Sequence, residues 1–220
     1  SKSVVVEEYL EGEEFSLLAF VNGDRVYPMA IAQDHKRAFD GDEGPNTGGM
    51  GAYSPVPQIP QSVVDDATER ILKKTAEAMI SEGRPFSGIL YAGLMLTKTG
   101  PKVIEFNARF GDPETQVILP RMKTEVVAVL DAVSEKRDLV IEWEEDYVLG
   151  GVLAAEGYPF SSRKGDVIEG LASIDKEAFV YHAGTGEDLE GNTIIDGGRV
   201  LLVAAKGKTL DGAKESAYRE

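Results

Sequence analysis

The sequence predicts an α+β fold in two successive units, and three observations carry that reading. Two pairs of apolar, strand-like runs are closed by turn signals, Asn22-Gly23 and Lys98-Thr99-Gly100-Pro101. One long run with helical spacing, residues 62–82, lies between the pairs. Beyond about residue 141 the texture changes to short apolar runs punctuated by glycines. We expect an antiparallel sheet with helices over residues 1–140 and a small β-rich unit over 141–220.

In order, residues 3–10 (SVVVEEYL) read as a strand ending at Glu11-Gly12. A second strand over 14–21 turns at Asn22-Gly23 into a returning strand over 25–33. Residues 34–60 show no periodicity and carry five glycines and four prolines, so they read as a long loop with a functional reason to exist. In residues 62–82, Val64, Ala67, Ile71, Ala78 and Met79 recur near helical spacing, and Gly83 stops the helix. Strands over 88–97 and from 102 onward form the second hairpin, with helices expected over 115–122 and 125–136. A charged connector, 139–146, leads to strands over 148–155, 166–168, 178–183, 193–195 and 200–205. The chain opens in an apolar run and stops inside the helical pattern TLDGAKESAYRE, so it reads as a segment of a longer protein.

Charge and composition exclude several classes. With 38 acidic against 23 Lys and Arg residues, the formal charge is −15, which disfavours nucleic acid and anionic membranes as partners. Anionic ligands must then be handled locally, by a metal or a basic cluster. No stretch of about 18 apolar residues is present, so no transmembrane helix is expected. The absence of cysteine excludes disulfides, thiolate zinc sites and cysteine nucleophiles, and fits a reducing cytoplasm. Two histidines, His35 and His182, lie too far apart in sequence for a histidine-rich metal site, and His182 reads as a packing residue.

The stretch KVIEFNARFGDPETQ, 102–116, carries the densest chemistry. By strand parity Val103, Glu105 and Asn107 share one face while Ile104 and Phe106 share the other, where they should anchor the strand in a core. Glu105 and Asn107 would sit roughly 7 Å apart at about 3.3 Å rise per residue. A carboxylate and an amide oxygen are hard ligands of the kind Mg²⁺ accepts while sharing substrate phosphates. Arg109, Asp112 and Glu114 follow, and an arginine there suits a phosphoryl group in transfer. In isolation the same residues equally describe a solvated charge cluster at a strand end.

Three further stretches bear on a site. The end of the first strand, Glu7, Glu8, Tyr9 and Leu10, offers backbone groups to a flat heterocycle, with Glu13 or Glu14 placed for ribose hydroxyls; an exposed acidic turn is the plainer reading. His35, Lys36 and Arg37 form the clearest basic cluster of an acidic chain and read as a phosphate clamp or a solvated strand end. In Asn46, Thr47, Gly48, Gly49, Met50 and Gly51 the glycines permit close backbone approach, and successive amides could form an anion nest. The pattern is neither a Walker A motif nor a dinucleotide fingerprint.

Taken together, EEYLEGEEFS, QDHKRAFDGDEGPNTGGMGAYSP, GILYAGLML and KVIEFNARFGDPETQ, in this order, resemble the phosphoribosylamine–glycine ligases (glycinamide ribonucleotide synthetases). These are ATP-grasp enzymes of purine biosynthesis. The resemblance covers nearly the whole chain, including LGGVLAAEGYP and FVYHAGT. It implies that residues 1–140 are the C-terminal half of an ATP-grasp domain. It implies activation of glycine by ATP as an acyl phosphate, then attack by 5-phosphoribosylamine. Carried over, Glu105 and Asn107 hold Mg²⁺ or Mn²⁺; Glu7, Glu8, Leu10 and Glu14 hold adenine and ribose; Lys36 and Arg37 face phosphates or substrate. Asn46 to Gly51, with Arg109, Asp112 and Glu114, form the substrate pocket, and Arg109 and Lys36 serve catalysis. The resemblance further implies a cytoplasmic protein and a preceding N-terminal part of the same enzyme. Two other readings stay open: another ATP-grasp carboxylate–amine ligase, or a nucleotide-binding segment that is catalytically incomplete by itself. One departure stands out: GILYAGLML carries no acid where many ATP-grasp enzymes place a further metal ligand.

Overall fold

The computed structural model describes residues 4–220. Residues 4–11 are in neither helix nor strand, and Val4, Val5 and Val6 are exposed. The expected first strand is therefore absent over these residues, and Ser3 lies outside the described ones. Apolar side chains alone do not make a strand: no neighbouring strand takes up the ladder hydrogen bonds of this run.

The described elements run β1 Glu13–Asn22, β2 Arg25–Pro28, β3 Gln33–Asp34, β4 Arg37–Phe39, β5 Glu43–Asn46 and β6 Gly51–Ser54. Then come α1 Gln61–Ala67, a π-helical turn Thr68–Lys73, α2 Lys74–Ser81, β7 Ser87–Thr97 and β8 Gly100–Asn107. They continue as α3 Thr115–Ile118, a 3₁₀ turn Leu119–Arg121, α4 Val126–Ser134 and β9 Tyr147–Ala154. A 3₁₀ turn Leu171–Ser173, β10 Phe179–His182, β11 Thr185–Glu187, β12 Thr193–Ile195, β13 Arg199–Gly207 and α5 Leu210–Arg219 complete the chain. The fold is α+β, as the sequence predicts.

Two antiparallel sheets carry it. One has the order β2-β1-β7-β8 and the other β10-β13-β9-β6-β3. The second sheet takes β3 and β6 from before residue 141 and β9, β10 and β13 from after it, so the two expected units share a sheet rather than lying apart. β1 is buried on both faces. Phe15, Leu17, Ala19 and Val21 join Val64, Ala67, Leu72 and Ala76 of the long helix in one core. Leu18 and Phe20 join Val117, Ile118, Val129, Val148 and Leu202 in the other, between the sheets. Burying a Leu or Phe side chain is worth about 1.5–3 kcal/mol, so these two faces make β1 the central beam of the molecule.

Several local departures have identifiable causes. The strand expected over 25–33 stops at Pro28, which cannot donate to a ladder; the chain then crosses to the second sheet as β3. The loop expected over 34–60 contains the β4–β5 hairpin and β6. In the long helix Val64, Ala67, Thr68, Leu72 and Ala76 are buried, whereas Ala78 is exposed. The π turn inserts a residue between turns and moves the buried stripe off the simple helical spacing. The strand expected over 166–168 is reduced to a single bridge between Val167 and Ile194.

Candidate active site

A cleft of about 760 Å³ opens between the two sheets' ends and the loops that join them. Its walls come from four places: Glu13 and Glu14 on β1, residues 33–37 after the crossover, Asn46 to Gly48, and β8 with the loop from Arg109 to Glu114. Seven carboxylates line it against three Lys and Arg side chains. Such a surface repels phosphates unless cations join it.

On β8, a register shift opposite Gly93 and Leu94 leaves Ile104 unpaired between Val103 and Glu105. That bulge reverses the parity expected from the sequence. Val103 packs against the core, Ile104 and Glu105 both line the cleft, and Phe106 is exposed rather than anchored. Glu105 and Asn107 do face the cleft together. Gly93 sits beneath Glu105, where an added Cβ would stand 3.2 Å from Glu105 Cγ. Among the described residues, the Glu105 carboxylate has no hydrogen-bond or ion-pair partner, and no group of three His, Cys, Asp or Glu is arranged to hold a metal. Two oxygen-bearing side chains without competing partners fit a cation that keeps waters and shares phosphates, and do not fit an all-protein cage.

The basic groups are placed around this shelf. Lys36 Nζ lies 3.6 Å from Glu14 Oε2. Arg37 donates to the Gly44 carbonyl at 2.7 Å, tying it to its own hairpin. Arg109 is exposed and donates only to the adjacent Phe110 carbonyl. Glu7, Glu8 and Leu10 lie outside the main cleft. They line a shallower neighbour of about 340 Å³ that shares Glu14 and Ile104 with it, and Glu8 pairs with Lys102 at 2.7 Å.

The glycine loop serves a different purpose from the expected anion nest. The amides of Thr47, Gly48, Gly49 and Met50 are all engaged, with the Lys36 carbonyl, the Tyr158 hydroxyl, Thr47 Oγ1 and the His35 carbonyl respectively. No successive amides remain to cradle an anion. The glycines permit close packing: at Gly49, φ is +106° and a Cβ would collide with the Pro113 ring, while at Gly51 a Cβ would stand 2.7 Å from the Gly150 carbonyl oxygen. Of the stretch, Asn46, Thr47 and Gly48 reach the cleft wall, and Gly49, Met50 and Gly51 are behind it.

Sequence reasoning missed the residue that fixes this loop. Arg199, on β13, donates to the carbonyls of Gly48 at 2.8 Å and Asp112 at 3.1 Å, and pairs with the Asp112 carboxylate at 3.2–3.3 Å. It thus fastens the glycine loop to the 109–114 loop from the far end of the chain, in the fork geometry an arginine offers. Nothing near Arg199 in sequence signals this.

Glu114 is 2% exposed and structural in its bonding. Ser16 Oγ donates to it at 3.0 Å, which leaves the Tyr91 hydroxyl, 3.0 Å from Ser16 Oγ, as donor to that oxygen. Burial, followed by the negative charge of Glu114, pushes the Tyr91 hydroxyl pKa up. Asp34 stands beside this group. Burial first, then Glu114, push its carboxyl up from 3.8 to about 7, against the opposing pull of Lys36.

The family model described as phosphoribosylglycinamide synthetase, ATP-grasp (A) domain, matches residues 1–115, and that of the C domain matches residues 148–220. Phosphoribosylamine–glycine ligases of Listeria monocytogenes and Halalkalibacterium halodurans are 56% and 57% identical over 100% and 99% of this chain, covering 53% and 50% of their own lengths. The crystal structure of a phosphoribosylamine–glycine ligase from Thermotoga maritima matches with a TM-score of 0.87 at 36% identity, covering 97% of this chain and 53% of that one. The chain therefore spans about half the length of the relatives it matches. With the A-domain model alone covering more than half of it, the chain belongs to the phosphoribosylglycinamide synthetase family.

Proposed function

We propose that the protein containing this chain joins glycine to 5-phosphoribosylamine at the expense of ATP, through a glycyl phosphate, releasing glycinamide ribonucleotide, ADP and phosphate. The observation that supports it most is the meeting of Glu105 and Asn107 with Lys36 and Arg109 in one acidic cleft. Phosphoryl transfer requires positioning and charge neutralisation more than a protein nucleophile, and those four residues supply both.

In this reading Glu105 and Asn107 hold Mg²⁺ or Mn²⁺. A divalent ion there would offset the cleft's excess of carboxylates and draw the phosphates in. Lys36 and Arg109 neutralise charge on the transferring phosphoryl group. Glu7, Glu8, Leu10 and Glu14 edge the adenosine subsite, and Arg37 flanks the phosphates from its hairpin. Asn46, Thr47, Gly48 and Asp112 border the substrates, backed by Gly49, Met50, Gly51 and Glu114. We also infer that residues 1–140 and 141–220 are successive units of that enzyme, which the separate matches over 1–115 and 148–220 support. The other half of the nucleotide's enclosure would come from the enzyme's N-terminal part, and a cytoplasmic location belongs to the same reading.

Phosphate release by the full-length protein tests it. Release should require glycine, phosphoribosylamine and a divalent cation together. Glu105→Ala should lower turnover by about 10- to 100-fold or more, with the metal requirement shifted to higher concentration. Turnover with other acids or amines in place of these would point instead to a different carboxylate–amine ligase. Unchanged activity in Glu105→Ala would remove the metal assignment.

A further inference from the structure

Forming an amide from an acyl phosphate and an amine releases a proton, and the residues assigned above to metal and phosphates are cations or metal ligands, none of them free to take it up. The remaining acids of the cleft are mostly engaged. Glu13 accepts from Gln33 and Gln58, Glu14 pairs with Lys36, Asp112 with Arg199, and Glu114 with Ser16.

Asp34 differs. It lines the cleft at the end of β3, yet its carboxyl makes no hydrogen bond, and Oδ1 is fully enclosed without a partner. Its other oxygen, Oδ2, is not fully enclosed, and it lies 3.4 Å from where a Cβ on Gly49 would stand. The charged groups that face it are Glu114, Lys36, Glu14 and Arg199, with the Tyr91 hydroxyl beyond Glu114. An ionised carboxylate with one enclosed, unpartnered oxygen gains by taking up a proton.

Resting on the function proposed above, we propose that Asp34 is the proton acceptor for the attacking amine. The amine nitrogen forms the C–N bond at the acyl carbon. The bond from that carbon to the phosphate oxygen breaks, and phosphate leaves with the electron pair. One proton of the amine passes to the Asp34 carboxylate, which then returns it to solvent through the cleft. The elevated pKa of about 7 suits this task, since a general base works best when its pKa lies near the working pH.

The test uses the full-length enzyme and separates the two half-reactions. Hydroxylamine, a good nucleophile that needs no base, traps the acyl phosphate as a hydroxamate; phosphoribosylamine gives the amide. In Asp34→Asn, hydroxamate formation should stay within about threefold of wild type, while amide formation falls about 10²- to 10⁴-fold. The acidic limb of the wild-type amide-forming profile, near pH 7, should vanish in Asp34→Asn. Asp34→Glu, which keeps a carboxyl, should recover part of the rate and the limb. Amide formation within threefold of wild type in Asp34→Asn, equal losses in both assays, or an acidic limb that persists without the carboxyl would each overturn the assignment. If Asp34→Asn does not fold, Asp34→Glu decides: a tenfold or greater loss confined to amide formation supports the role, and an unchanged amide rate removes it. Absence of hydroxamate from wild type with glycine would instead sink the proposed function.

Discussion

Asp34 also makes a thermodynamic prediction that is independent of catalysis. Its native carboxyl is raised from 3.8 to about 7, chiefly by burial and next by Glu114. A group whose folded-state pKa is raised contributes stability that is fully present below the unfolded value and lost as pH rises through the folded one. Between pH 4 and pH 7 the native state therefore holds a proton that the unfolded chain has shed, and wild-type stability declines across that window. Asp34→Asn removes the titration. Relative to wild type, linkage from 3.8 and about 7 makes the variant more stable by roughly 1.5 kcal/mol at pH 5 and roughly 4 kcal/mol at pH 8. The amide still carries an enclosed oxygen, a cost that is the same at both pH values and cancels from the difference. The quantity to measure is thus the change in the variant's advantage, about 2.5 kcal/mol between pH 5 and pH 8. Urea denaturation of both proteins at the two pH values, without nucleotide or divalent metal, supplies it. An advantage that is constant within 0.5 kcal/mol, or larger at pH 5, would refute the buried-carboxyl reasoning.

Two further substitutions probe the glycine loop. Arg199→Lys keeps the charge but loses the fork that spans two loops, so amide exchange over residues 46–50 should accelerate and stability fall by about 1–3 kcal/mol; unchanged exchange would show that the loop is held by other means. Gly49→Ala places a side chain at φ +106° against the Pro113 ring. It should lower the urea midpoint by the equivalent of at least 2 kcal/mol, and a wild-type midpoint would mean that the loop can shift aside.

Much of the fold was readable because its signals are local. Asn22-Gly23 and Gly100 turn where the sequence places turns, and the runs of β1, β7 and β9 are apolar enough to be strands in any context. The site was readable in part for the same reason: Glu105, Asn107, Lys36 and Arg109 are chemically conspicuous and do share a cleft. What was not legible is set by tertiary partners. The valines before Glu7 have strand propensity but no ladder to join. The π turn over Thr68–Lys73 contains no glycine or proline that would signal it. Arg199 acts on Gly48 and Asp112, 151 and 87 residues away, and no local pattern encodes that.

The bulge at Ile104 shows most clearly why a strand's chemistry cannot be read from alternation alone. A regular β8 with Val103 in the core would already put Glu105 on the core side, because residues two apart share a face. A carboxylate there would meet Val103's apolar neighbours and bear an unpaired charge. The extra residue rotates the strand by one position between Val103 and Glu105, so the core keeps its valine and the cleft gains the carboxylate. Ile104 is what this costs: an apolar side chain left on the cleft wall beside Glu14. Half-buried, Ile104 also borders the smaller depression that Glu7, Glu8 and Leu10 line. One inserted residue therefore does two things at once: it turns the Glu105 carboxylate into the cleft and sets the Ile104 side chain on the wall next to it.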